Sequence, residues 1–201
     1  MKKTFLFLAF LCILTSLSAQ RFYGGVQGGL TISQVDGDLE GGYRKLGLAG
    51  SVLAGRDLAP NLNWQLEIKY VLRGMYNPPD YPGGEYYSET YHYIELPLSV
   101  NYLIKEKYMP EAGISPDIFI KIVGVQDGLL IPSSEYGTIH RFGLNVFAGF
   151  HYWFTESTAV GLRYTYSAIT FKPREEWQVY PLHPGYFHNV ISLTMTWRFP
   201  L

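Results

Sequence analysis

Six charged residues lie in segments in which polar and apolar residues alternate. The six are Glu67, Lys69, Arg73, Glu95, Arg163 and Arg198. Carboxylates and cations that share one face of a sheet form either an acid/base site or a network of ion pairs, because buried charges need partners. Which of the two applies depends on the elements that carry these residues.

Histidines are the second set of residues that can take part in metal binding or acid/base catalysis. His92, His140, His183 and His188 all fall on or near the end of the predicted molecule that carries the long connections, where a metal site or an acid/base centre can form. No pair has a metal-ligand spacing on one defined element, and no G-x-S-x-G motif supplies a nucleophile. We therefore predict no metal, no cofactor and no catalytic residue, and keep as an alternative an enzyme that acts on lipid or peptide.

An acidic stretch resembles the start of an EF-hand calcium loop. Asp36, Asp38, Glu40 and Gly41 occupy positions one, three, five and six of such a loop, but Gly47 stands at position twelve instead of the bidentate glutamate. This difference favours an acidic turn over a calcium site.

The amino terminus has the three parts of a secretory signal peptide. Lys2 and Lys3 precede a short apolar run, and small residues end it near Ala19. We predict a signal peptide at residues 1–19 and a single domain at residues 20–201. The only cysteine, Cys12, lies within the signal peptide, so the mature chain has no disulfide, thiol catalyst or cysteine-bound zinc.

Charge and composition exclude some classes of protein. The chain of 201 residues has a formal net charge of -1, 47% hydrophobic and 16% aromatic residues. The charge provides no basic surface for nucleic acid. After the signal peptide, no apolar run approaches the roughly 20 residues of a membrane helix. A transmembrane β-barrel is compatible with this composition, because apolar and polar residues alternate along its strands and no long apolar run is needed.

A period of two runs through the mature chain. Leu66 and Ile68 alternate with Glu67 and Lys69, and similar alternation occurs in seven further segments. The fifth segment, near 110–122, is interrupted by prolines, and its isoleucines Ile114, Ile118, Ile120 and Ile122 share one parity. Short connections alternate with long polar ones at 33–44, 77–89, 123–138 and 172–186. This pattern predicts an all-β, eight-stranded antiparallel up-and-down transmembrane barrel.

Aromatic residues on the apolar face favour a membrane barrel over a soluble periplasmic barrel that binds a ligand in an apolar interior. They lie at strand ends beside the short turns, where a membrane interface is expected. The predicted aromatic girdle consists of Trp64, Tyr102, Tyr152, Phe154, Trp197 and Phe199. The six charged residues then face the lumen, and we interpret them as a lumen polar network.

The chain also resembles the PorT-like outer-membrane β-barrels of Bacteroidetes-type bacteria. The resemblance lies in Ser18-Ala19-Gln20, in the glycine-rich opening 23–29, in Tyr93-Ile94-Glu95-Leu96-Pro97-Leu98 and in the strand 145–149. It implies a location in the cell outer membrane, surrounded by outer-membrane lipid.

The long loops are rich in aromatic residues that suit protein interfaces. These are Tyr81, Tyr86, Tyr87, Tyr136, Trp177, Tyr180 and Tyr186. They form either a contact surface or the packing between loops. We predict a non-enzymatic protein that is structural or binds an envelope or surface protein through these loops.

Overall fold

The computed structural model describes residues 22–37, 42–79, 86–132, 135–173 and 185–200. The signal-peptide prediction and most of the acidic stretch lie outside these ranges. Within them the chain forms eleven strands: β1 (Phe22–Asp36), β2 (Lys45–Ala59), β3 (Leu62–Asn77), β4 (Tyr87–Glu95), β5 (Leu98–Tyr102), β6 (Tyr108–Gln126), β7 (Leu129–Leu130), β8 (Phe142–Trp153), β9 (Thr158–Ser167), β10 (Lys172–Pro173) and β11 (Gly185–Pro200). No helix in the described part of the chain is long and apolar enough to cross a membrane.

The strands form a closed antiparallel ring. The order around the ring is β1, β2, β3, β4 with β5, β6, β8, β9 and β11. β1 closes the ring on β11, from Tyr23 opposite Pro200 to Asp36 opposite Phe187. β4 and β5 act as one barrel strand between β3 and β6, and β7 and β10 are short additions. The predicted eight-stranded up-and-down barrel is confirmed.

Two prolines explain why one barrel strand is divided into β4 and β5. The carbonyl of Pro116 in β6 accepts the Leu96 N–H at 2.9 Å, and the carbonyl of Pro97 accepts the Glu67 N–H at 2.9 Å. Neither proline has an N–H to return to the ladder. The hydrogen-bond pattern therefore breaks at this point while the chain keeps its direction.

A bulge in β6 corrects the predicted parity of the fifth segment. Pairing of β4 with β6 shifts between His92, opposite Lys121, and Tyr93, opposite Phe119, so Ile120 is an extra residue. A bulge reverses the side-chain alternation that follows it. Ile120 faces outward, whereas Ile122 packs against the buried cluster inside the barrel. The strand is also longer than expected, from Tyr108 to Gln126.

The long segments predicted as loops contain more strand than the sequence indicates. β1 continues to Asp36, β6 continues to Gln126, and β4 already begins at Tyr87. Polar side chains mark the end of the apolar band, but they do not prevent backbone pairing. The ladder therefore extends beyond the apolar part of the wall.

The apolar face points outward. Leu66, Ile68, Leu96 and Leu98 are 41%, 57%, 41% and 44% exposed. A soluble ligand-binding barrel would direct these side chains into its interior. The alternative of a soluble periplasmic barrel is therefore wrong.

Candidate functional site: the charged lumen and the outer rim

The lower part of the lumen contains one arginine between two glutamates. Arg163 of β9 donates from Nη2 to Glu67 Oε1 at 2.6 Å and from Nε to Glu111 Oε1 at 2.6 Å. Its guanidinium carbon lies 4.4 Å from the centre of the Phe147 ring. His151 Nε2 lies 3.2 Å from Glu111 Oε1. Arg163 thus compensates two carboxylates that lie on β3 and β6.

A second ion-pair group lies above the first. Lys69 Nζ is 3.1 Å from Glu95 Oε2, and Arg73 Nη1 is 3.0 Å from Glu95 Oε1. Arg73 also donates from Nη2 to Asp117 Oδ2 at 2.5 Å. The register of β3 with β4 sets Lys69 opposite Glu95. Both glutamates singled out in the sequence therefore lie within salt-bridge distance of a cation from the same set.

Arg198 lies in the lumen but apart from these ion pairs. Its Nη2 donates to Gln65 Oε1 at 2.8 Å, and its guanidinium carbon lies 4.2 Å from the Tyr23 ring centre and 4.3 Å from that of Trp153. Aromatic rings and an amide surround this cation instead of a carboxylate. Stacking of this kind suits the planar guanidinium.

Glu111, Asp117 and His151 belong to this interior but were not chosen from the sequence. The parity of Ile114 already places Glu111 and Asp117 on the opposite, inward face. The prolines of the fifth segment obscured that signal. With these residues included, the side chains of the two ion-pair groups are buried and in contact with opposite charges.

The lumen geometry favours holding strands together over chemistry. The four carboxylates of the two ion-pair groups already accept hydrogen bonds from cations on other strands, so none of these four is left as a base directed at an open pocket. Arg163 links three strands of the ring, namely β3, β6 and β9, and Arg73 links β3 to β4 and β6.

The six residues of the predicted girdle lie on the outward face beside the short turns. Tyr102, Phe154, Trp197 and Phe199 are at least 43% exposed. Tyr152 packs on Phe154 with ring centres 5.1 Å apart and on Tyr108 at 5.5 Å. Tyr108 extends the same belt and was not selected from the sequence.

The candidate histidines have three different environments. The Tyr70 hydroxyl and His92 Nδ1 are 2.5 Å apart on the outward face, and His140 Nδ1 is 2.9 Å from the Thr170 carbonyl oxygen. His188 is buried in the lumen, stacked on Phe171 at 3.8 Å between ring centres. His183 lies outside the described residues. The structure therefore does not bring His92, His140 and His188 into one centre.

Within the described ranges, no group of three potential metal ligands is close enough to hold an ion. Of the calcium-like stretch only Asp36 is described, and its carboxylate accepts a hydrogen bond from Gln34 Nε2 at 2.7 Å.

The loop aromatics that are described pack against the barrel. Tyr136 and Tyr186 are buried, and Tyr86 packs edge-on against Tyr76 with ring centres 5.8 Å apart. The Tyr87 hydroxyl donates to Glu89. Tyr81, Trp177 and Tyr180 lie outside the described residues. In this part of the chain, packing accounts for the aromatic loop residues.

Among the residues that the structure describes, the most exposed apolar side chains of the upper half belong to a hairpin. β6 and β7 are joined by a tight turn in which Asp127 and Gly128 have φ of 48° and 85°. Leu129 and Leu130, just after it, are 75% and 73% exposed. We call residues 119–131 the outer hairpin.

Comparison with known proteins supports the fold. The sequence matches no protein-family profile and no curated protein. The attachment invasion locus protein Ail of Yersinia pestis is 13% identical with a TM-score of 0.52, over 88% of this chain and 98% of Ail. Neisserial surface protein A is 14% identical with a TM-score of 0.53, over 89% of this chain and 97% of that protein. At these identities the likeness concerns the fold, and the chain has the fold of the small β-barrel proteins of bacterial outer membranes.

Proposed function

We propose that this protein is a non-enzymatic outer-membrane barrel that presents its outer rim to a partner outside the cell. In this proposal residues 1–19 are a cleaved signal peptide and residues 20–201 form the barrel. The resemblance to PorT-like barrels in the segment 93–98 supports an envelope role of this kind.

The observation that carries the proposal is the contrast between the apolar outward face of the wall and the charged lumen. An apolar outward face bounded by the aromatic girdle suits a bilayer, and a filled lumen of paired charges suits neither a pore nor a catalytic cleft. The girdle would lie at the periplasmic interface of the outer membrane, and the lumen network would hold the strands together. Of the two ends of the barrel, the outer rim is the one that would face a partner outside the cell.

The outer hairpin supports partner binding. His92 is ten positions from Tyr102 of the girdle, and a transmembrane strand needs about 9 to 11 residues, so His92 marks the outer boundary of the membrane in this proposal. Leu129 and Leu130 lie beyond that boundary, where exposed leucines have no lipid to contact. Adjacent exposed apolar side chains are typical of interaction sites.

Cysteine labelling tests the proposed location and orientation. The mature chain has no cysteine, so Leu130→Cys and Lys105→Cys introduce single thiols at opposite ends of the barrel. A membrane-impermeant maleimide should label Leu130→Cys on intact cells and Lys105→Cys only after the outer membrane is permeabilised. The folded protein should also migrate differently from the boiled protein in detergent gels.

The reverse labelling pattern would contradict the orientation. A monodisperse protein in buffer without detergent would overturn the membrane location itself.

A further inference from the structure

The wall of the barrel has an open seam at its outer rim. Pairing between β6 and β8 ends at Ile118 opposite Phe142, and one further bond runs from the Phe119 N–H to the Arg141 carbonyl at 2.8 Å. Backbone contact to this edge of β6 resumes where the Ile131 N–H donates to Gly124 at 3.0 Å. Between these points the described chain provides no strand partner, and residues 136–139 lie across the gap.

A cleft of about 330 Å³ occupies this seam. Its lining is Phe119, Lys121, Ile122, Tyr136, Gly137 and Ile139. The Tyr136 hydroxyl donates to the Ile131 carbonyl at 3.3 Å, and burial raises the pKa of Tyr136, so the phenol stays neutral. The cleft is at the small end of the ligand pockets of roughly 300 to 1,000 Å³ found in proteins. Phe119, Ile122 and Ile139 make its walls mainly apolar, and Lys121 adds one cation.

Two exposed cations lie at the seam. Lys121 is the cross-strand partner of outward-facing His92, and Arg141 lies at the edge of the seam, where its carbonyl accepts the Phe119 N–H. Both cations are exposed. Among the described residues, no carboxylate forms a salt bridge with either of them. Below them Ile120 and Phe142 are 49% and 66% exposed on the wall.

We propose that this seam binds an anionic lipid of the outer leaflet. A lipid phosphate lies between Lys121 and Arg141, and one acyl chain enters the cleft while others follow Ile120 and Phe142. The charge of the two cations complements a phosphate, and the apolar lining complements a chain. The inference rests on the proposed outer-membrane location.

Binding of purified lipid A measures this directly. The folded full-length barrel in zwitterionic detergent is titrated with diphosphorylated lipid A and with its phosphate-free form, and binding is followed by native mass spectrometry. Each cation near a lipid surface contributes about fivefold in affinity. The double variant Lys121→Gln/Arg141→Gln should therefore lose at least about tenfold, and Ile139→Asn should weaken binding of lipid A without affecting binding of inorganic phosphate.

The matched control is Lys105→Gln/Lys107→Gln, which removes two exposed cations from the turn at the other end of the barrel. It should bind lipid A like the parent protein. Equal binding by the seam variant and the parent, or equal binding of phosphorylated and phosphate-free lipid, would overturn the inference. Competition by millimolar inorganic phosphate with no effect of Ile139→Asn would show a free-phosphate site and also overturn it.

Heat-dependent gel migration and thiol labelling on the same variants separate the two proposals. A seam variant that inserts normally and keeps full lipid binding contradicts only the lipid site. A parent protein that fails to insert contradicts the proposed function.

Discussion

At the scale of single residues, the interior depends on charges that cannot be removed one at a time. Glu95 is 2% exposed and compensates both Lys69 and Arg73. Arg73 also stacks on Tyr93, with 3.7 Å between the guanidinium carbon and the ring centre. Ionised groups so far from water are tolerated only with partners in good geometry.

Glu95→Gln should lower the free energy of unfolding by about 3 kcal/mol, the lower end of the cost of breaking a buried pair. The substitution leaves Lys69 without its charged partner, but the amide oxygen still accepts one hydrogen bond. Urea unfolding in lipid vesicles measures the change. Membrane insertion should stay intact, because the girdle and β11 are unchanged.

The matched control for Glu95→Gln is Glu156→Gln in an exposed turn. Its unfolding free energy should stay within about 0.5 kcal/mol of the parent. A midpoint for Glu95→Gln equal to that of the control would contradict the role of the lumen pair.

At the scale of elements, the closing seam between β1 and β11 depends on a close approach of two backbones. A Cβ built on Gly29 would lie 2.1 Å from the Leu193 carbonyl oxygen and 2.7 Å from the Thr194 Cα. Backbone atoms of a paired strand cannot move away as a side chain can. Glycine at this position therefore allows the ring to close.

Gly29→Ala should cost about 1 to 3 kcal/mol, as overpacking does elsewhere, and should reduce the fraction of protein that folds. Gly28→Ala is the matched control, because a Cβ there would meet its nearest atom, the Ala49 oxygen, only at 3.9 Å. The fraction of heat-modifiable protein in detergent measures both variants. Equal folding of the two would show that the seam tolerates a methyl group.

At the scale of the whole molecule, a bilayer around the barrel should make its stability depend on where an exposed apolar residue is replaced by a charged one. Ile68 is 57% exposed and lies four residues beyond Trp64 of the girdle, within the apolar band. Leu130 is 73% exposed but lies in the outer hairpin. Exposure alone does not distinguish them.

Ile68→Arg should destabilise the barrel in vesicles by about 2 to 4 kcal/mol, the cost of a cation near the bilayer midplane. Leu130→Arg should change stability by less than about 0.5 kcal/mol, because its side chain stays in water. Unfolding titrations in vesicles compare the two. Similar small effects for both would place Ile68 outside the hydrocarbon.

Much of the barrel was predictable from local information. Alternation with a period of two decides which side chains share a face, so Glu67, Lys69 and Leu66 could be sorted without any contact information. Short turns and long connections indicated the order of the strands. The aromatic residues at strand ends indicated that the apolar face is the outer one, which the exposure of Ile68 and Leu98 confirms.

Other features depend on pairing across the ring, which no local pattern contains. Only register places Arg163 between Glu67 and Glu111, residues 96 and 52 positions away along the chain. The bulge at Ile120 turns the Ile122 side chain to the opposite face, because β6 has one more residue than β4 at this point. That difference is a property of the two strands together. Which face each strand presents depends on neighbouring residues and could therefore be predicted from local pattern. Which charges meet, and where the seam opens, depend on how distant strands align, and only the folded barrel shows them.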